Sequence, residues 1–306
     1  MADPRLVTVT TGLSFPEGPV AMADGSVILT EMFGHRITRV SPDGTKSTVA
    51  TVEGLPNGLA VGPDGALYLC NNGGAFTPIT VDGLTYPGEF DPDAYIGGRI
   101  QRIDPATGAV TDLYTRCGDT PLRAPNDLVF DDHGGFWFTD HGIRHHRTAD
   151  RTGIFYAKAD GSHIEEAVFP VDSPNGIGLS PAGDRLYWAE THTGRVYQRV
   201  VESPGRLGPP AAGVPYMLCG LPGYQLFDSL AVDGEGNVCV ATLVNGGITV
   251  ISPAGEVIDF VATDDRITTN ICFGGDDLST AYITASSTGR LLRMEWPRKG
   301  LRLNYQ

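Results

Sequence analysis

Six side-chain oxygens recur at matched places along the 306-residue chain, on Glu17, Asn57, Asn126, Asn175, Asp228 and Asn270. Two carboxylates can neutralise a divalent ion, and amide oxygens can fill further places in a shell of about 6–8 oxygens. A cation held that way acts as a Lewis acid on a carbonyl and stabilises the oxyanion that develops there. The donor set is hard, which favours Ca²⁺. With no His or Cys at the six positions Zn²⁺ is harder to argue, while Mn²⁺, Mg²⁺ and Fe²⁺ stay within range. Buried carboxylates that met neither a cation nor hydrogen-bond donors would be costly. Asn-Gly is also a strong turn signal, so Asn57 and Asn175 read equally well, taken singly, as the starts of tight turns.

What must position these residues is a repeat. Each opens the same template, a short alternating strand, an Asp/Gly/Pro turn and a second strand, as in Glu17 to Glu31 (EGPVAMADGSVILTE) and Asn126 to Asp140 (NDLVFDDHGGFWFTD). Start-to-start spacings are 40, 69, 49, 53 and 42 residues. Apart from the 69, they match the roughly 40–50 residues of a four-stranded propeller blade. A third strand echoes after each unit (GHRITRV, GGRIQRI, TGIFYAK, TGRVYQR, GGITVIS, TGRLLRM), and turns such as SPDG and SPAG lead to a fourth. Period-2 patterning bounded by Gly, Pro and Asp is the strand signature, and no long helical pattern competes. The expected fold is all-β, a six-bladed β-propeller with four-stranded blades in one domain over 1–306, with a segment at Leu6–Thr10 completing the last blade. In that register the second strands end at Glu31, Asn71, Asp140, Glu190, Thr242 and Ala285, on the face where the six oxygens begin. The outsized spacing is a lid-like insertion at about 72–97 on that face, containing Phe76, Tyr86, Phe90 and Tyr95.

Composition narrows the partners. Asp and Glu number 36 against 22 Lys and Arg, for a net charge of −14, and no basic cluster appears, which argues against a nucleic-acid backbone or an anionic membrane. Hydrophobic residues at 41% exclude a disordered acidic chain. The five cysteines form no Cys-x-x-Cys pair and sit mostly in apolar runs, and no apolar run is long enough to span a bilayer, so a cytoplasmic protein is expected. No Gly-x-Ser-x-Gly elbow occurs and Cys70 has no evident partner, so Ser or Cys nucleophilic catalysis is unsupported.

Phe15-Pro-Glu-Gly-Pro, Ala124-Pro-Asn-Asp-Leu-Val-Phe-Asp with Phe136-Trp-Phe-Thr-Asp, and Pro174-Asn-Gly-Ile-Gly-Leu-Ser-Pro resemble one family. It is the senescence marker protein (regucalcin), gluconolactonase and luciferin-regenerating enzyme family of six-bladed propellers, and the likeness runs from about Phe15 to Arg293. The resemblance implies a catalytic divalent metal at the channel mouth, with the family's metal-binding glutamate on Glu17, its asparagines on Asn126 and Asn175, and its aspartate on Asp228. One departure stands out: animal-type aldonolactonases carry an arginine two residues before the asparagine that falls on Asn126, where this chain has Ala124, with Arg123 beside it.

The expected activity is metal-dependent opening of a small lactone, from a sugar acid or related, with Asp228 as base or nucleophile and Asn126 and Asn175 also touching substrate. Metal coordination lowers a carboxylate's basicity, a tension in that assignment. His141 and His192, at the site-facing ends of second strands, are candidate substrate-binding residues, with His145 and His146 further along the same loop. Asn57, Asn270, Asp140 and Glu190 are expected to orient the ligands from behind. The alternatives are a calcium-dependent phosphotriesterase and a non-catalytic calcium-binding propeller.

Overall fold

The computed structural model describes residues 2–209 and 216–306. Apart from two two-stranded hairpins, its strands group into six small antiparallel sheets arranged around a common axis, which is the six-bladed propeller expected from the repeat. Blade 1 runs Pro16–Ala21, Val27–Glu31, Arg36–Val40 and Lys46–Thr51. The innermost strands of the next four blades are Pro56–Val61, Pro125–Phe130, Pro174–Leu179 and Leu226–Val232. Blade 6 takes Thr268–Gly274, Thr280–Ala285 and Arg290–Glu295 from one end of the sequence and Val7–Thr10 from the other, so the ring closes through backbone pairing of Val7 with Arg293 and Thr8 with Leu292. Blade 4 departs slightly from the four-strand rule, carrying in addition the two-residue strand Arg206–Leu207.

The blades are held by apolar side chains wedged between neighbouring sheets. Tyr68, Phe130, Phe136 and Phe138 pack between blades 2 and 3, and Trp137, Tyr156, Ile177 and Trp188 between blades 3 and 4. Trp137 and Trp188 are fully buried. All five cysteines are free, four of them buried as small apolar side chains. No helix among the described residues is long and apolar enough to cross a membrane.

The insertion forms its own hairpin, Pro78–Val81 paired with Leu84–Pro87. It leaves blade 2 and reaches across to blade 6, where the Thr85 N–H donates to the Ser287 carbonyl at 3.0 Å. Tyr95 fixes its return, donating its hydroxyl to the Arg123 carbonyl at 2.6 Å.

Candidate active site at the hub

Each innermost strand breaks register with its neighbour where the recurring oxygen stands. The pairing shifts between Glu17 and Val20, Pro56 and Leu59, Pro125 and Leu128, Pro174 and Ile177, Phe227 and Leu230, and Thr268 and Asn270. A bulge of this kind re-aims a side chain that would otherwise alternate with its neighbours. Asn57-Gly58 and Asn175-Gly176 therefore lie inside strands and are not turns. The glycines after Asn57 and Glu17 serve close approach: a Cβ on Gly58 would sit 2.5 Å from the Asn126 carbonyl oxygen, and one on Gly18 2.5 Å from that of Asn57. Hydroxyls stitch one blade to the next at the same level. Thr30 donates to the Asn57 carbonyl at 2.8 Å, Thr139 to that of Asn175 at 2.6 Å, and Ser286 to that of Pro16 at 2.5 Å.

Glu17, Asn57, Asn126, Asn175 and Asp228 consequently line one cavity of about 870 Å³ that opens on the insertion's face. Their side chains are buried, yet Glu17 Oε2, Asn57 Oδ1 and Asn126 Oδ1 have no hydrogen-bond partner. Asn175 is better held, its Nδ2 donating to Thr191 Oγ1 at 3.1 Å and its Oδ1 accepting from Ser229 at 3.4 Å. Burial, reinforced by the neighbouring charges of Asp228 and Asp127, holds the Glu17 carboxyl well above its usual range. Burial likewise pushes Asp228 up to about 7, against an opposing hydrogen bond from Asn175. Among the described residues neither carboxylate has an ion-pair partner. Orphaned buried oxygens beside two uncompensated carboxylates are a donor set that fits a hard divalent cation. Among the described residues no group of three or more His, Cys, Asp or Glu is placed to hold a metal, so amides would have to complete any shell.

The other sequence candidates fall into two groups. His141 and His192 line the cavity with their rings 6.0 Å apart, and Phe76 of the insertion meets His141 edge-on at 6.1 Å. Burial holds the His141 imidazole below its ordinary range, and burial with the neighbouring His141 does the same for His192. Asn57, expected behind the ligands, instead faces the cavity beside them. Asn270, Asp140 and Glu190 do not line it. Asn270 turns its Oδ1 onto the Ile271 N–H at 2.8 Å and borders the channel beneath. Asp140 accepts from the Arg123 and Ala124 N–H groups, both at 2.7 Å, and so fixes the loop that delivers Asn126. Glu190 accepts from Thr193 at 3.0 Å on its own loop. Arg123 turns aside to pair with Asp150 at 2.8 Å.

Asp127 was passed over in the sequence. Burial pushes its carboxyl up to about 7, and it acts electrostatically on both Glu17 and Asp228 from the channel below. The available signal was its register: it occupies the place that glycine takes after Glu17, Asn57 and Asn175.

Comparison with known proteins bears on the family and the fold. The model of the SMP-30/Gluconolactonase/LRE-like region matches residues 15–287. The chain belongs to this family. Among curated relatives, lactonase drp35 of Staphylococcus haemolyticus is 28% identical over 269 residues, covering 87% of this chain and 74% of that one. Among solved structures, a gluconolactonase from Xanthomonas campestris superposes with a TM-score of 0.75 at 22% identity, over 95% of this chain and 89% of that one. A calcium-binding regucalcin from Agrobacterium tumefaciens superposes with a TM-score of 0.71 at 17% identity, over 99% and 98%. At these identities the structural likenesses speak for the shared propeller.

Proposed function

We propose that the protein is a lactonase, a metal-dependent hydrolase that opens a small lactone at the hub cavity, in keeping with the lactonase and gluconolactonase names of its relatives. The observation that carries the reading is the convergence of Glu17, Asn126, Asn175 and Asp228 on one cavity, with acceptor oxygens left unpaired. These four would hold a divalent cation, Ca²⁺ by preference on the hardness of their oxygens, with Asn57 beside them. When bound, such a cation polarises the lactone carbonyl and stabilises the oxyanion. Glu17 binds and balances charge. Asp228 takes a proton from the attacking water as the water oxygen bonds to the carbonyl carbon; the ring C–O bond then breaks, and Asp228 returns that proton to the leaving oxygen, giving a hydroxy acid and restoring the carboxylate. His141 and His192, held neutral, offer ring nitrogens to orient the substrate. The free cysteines accord with a reducing, cytoplasmic setting.

The test is turnover of a lactone panel before and after chelation and upon return of single metals, with Asp228→Asn alongside. Activity should vanish with chelator and return best with Ca²⁺, and the substitution should lower kcat by roughly 10²–10⁴-fold while metal still binds. Lactone turnover indifferent to chelator, or a fully active Asp228→Asn enzyme, would refute the mechanism; phosphotriester turnover without lactone turnover would refute the substrate class.

A further inference from the structure

We infer, building on the lactonase reading, that the substrate is a lactone bearing a bulky hydrocarbon substituent and not a polyhydroxylated one. The polar side chains of the cavity gather mainly in two places, apart from Glu89 on the exposed rim of the insertion and Thr191, whose hydroxyl already accepts from Asn175. The site oxygens form the floor, and the histidines with Arg144 form one side, where several are already engaged: Arg144 pairs with Asp172 at 3.1 Å, and the His145 ring packs edge-on to Phe90 at 5.3 Å. Apart from that rim carboxylate and that threonine, the remaining lining side chains are hydrocarbon. Phe15 and Met32 stand with Leu55 in one apolar cluster, against which Ile267 packs. Ala75 and Phe90 line the cavity from a second cluster, in which Ala124, Ile143 and Tyr95 stand behind them. Phe76 packs on both clusters, so the insertion spans the gap between them and roofs the cavity with an aromatic ring. Leu226 and Leu243 face inward from blade 5, and Ile79 projects from the hairpin at the mouth, 44% exposed.

Two physical consequences follow. Hydroxyl groups on every ring carbon would point several ways at once, and those meeting Phe15, Phe76, Leu226 or Ile267 would lose water without gaining a partner. A cavity of about 870 Å³ lies near the upper end of the usual range for small-molecule sites, far more room than a lone lactone ring requires. A hydrocarbon chain or ring extending from the lactone under Phe76 towards Ile79 uses that room and removes apolar surface from water on both sides. The hairpin's tether to Ser287 keeps this wall in place across the mouth.

The experiment compares kcat/KM of the Ca²⁺-loaded enzyme on glucono-δ-lactone and on δ-lactones carrying no substituent, a propyl or a pentyl chain. A parallel calorimetric titration uses cyclohexanone and 2-pentylcyclohexanone, rings that cannot be hydrolysed. Each buried methylene is worth roughly a fourfold gain, so the pentyl lactone should exceed the bare ring by roughly 10²–10³-fold, with the gluconolactone below both. The pentyl ketone should bind far more tightly than cyclohexanone. Ile79→Ser and Phe76→Ser should each shrink the pentyl-to-unsubstituted ratio by several-fold or more; Ile79 is exposed on its hairpin, so its variant reports even if Phe76→Ser misfolds. A flat series, or a preference for gluconolactone, overturns the inference. If the ketones follow the chain-length trend while no lactone is hydrolysed, the apolar binding site stands and the lactonase reading falls.

Discussion

Replacing Gly58 with alanine tests whether the hub geometry holds the site. The new Cβ would meet the Asn126 carbonyl oxygen at 2.5 Å, Asp127 Cα at 2.6 Å and Asp127 Oδ1 at 2.7 Å. Two of these three are backbone atoms, so no flexible side chain can yield, and blades 2 and 3 must separate by several tenths of an ångström where they abut. Gly58 does not need a left-handed φ, so steric overlap is the whole perturbation. Overpacking of this kind costs about 1–3 kcal/mol. At about 2–4 °C per kcal/mol for a chain of this order of size, the apo protein should melt roughly 2–12 °C lower. The displaced segment carries Asn126, so metal affinity should fall as well. Binding stabilises the fold in proportion to the logarithm of ligand concentration over Kd, and a tenfold weaker Kd removes about 1.4 kcal/mol of that gain. The assay is differential scanning calorimetry with chelator and with saturating Ca²⁺. Gly65→Ala is the control, at a turn with φ +74° and no atom within 4 Å of the new Cβ. It should bring left-handed strain of about 1–2 kcal/mol and leave the Ca²⁺-induced increment intact. If Gly58→Ala melts like the parent and keeps its full Ca²⁺ increment, the claim that inter-blade contact positions Asn126 is wrong.

Two further outcomes are expected. Glu17→Gln removes one of the two carboxylates that would balance a divalent charge, so the Ca²⁺-induced rise in Tm should largely disappear while the chelated variant melts at or above the parent, because a buried carboxyl whose ionisation the site disfavours has gone; calorimetry reads both. At Glu31 burial raises the carboxyl pKa, but hydrogen bonds from Arg36, Thr38 and the Ser14 N–H outweigh it, leaving the group below its ordinary 4.5. Its folded pKa is depressed, so its contribution is complete above that unfolded value and is lost as pH falls through the folded one. Glu31→Gln should therefore be destabilised relative to the parent at neutral pH, with the gap closing below about pH 4.5 in melting curves; a gap independent of pH would contradict the ion-pair account.

The ring was readable because each blade writes the same pattern, and a radial fold places equivalent positions at equivalent radii. That is why Glu17, Asn126, Asn175 and Asp228, spread over more than two hundred residues, could be expected in one cavity, where the structure brings them together. Asn270 shares the register but folds back on its own backbone, a difference of side-chain rotation to which strand spacing is blind. The bulges were equally hidden, since Asn-Gly inside a strand and Asn-Gly at a turn look alike until the neighbouring blade supplies the carbonyl that excludes a Cβ. Asp140 and Glu190 show the limit of reasoning from strand ends: both reach the proper face, but Asp140 spends its oxygens on backbone N–H groups of the preceding loop and Glu190 on a neighbouring threonine. Asp127 was missed because the motif drew attention to the asparagine before it.

The clasp formed by Val7–Thr10 on blade 6 bears on more than shape. At the opposite, hub edge of that blade, Ser286 and Thr269 donate to the carbonyl of Pro16, the residue immediately before Glu17. The blade that the closing strand completes is thus also the blade that sets the posture of Glu17. An unlatched molecule, sprung at this seam with every other blade intact, would have a misaligned cradle and weak hold on an ion, so cation occupancy and circular integrity should rise and fall together.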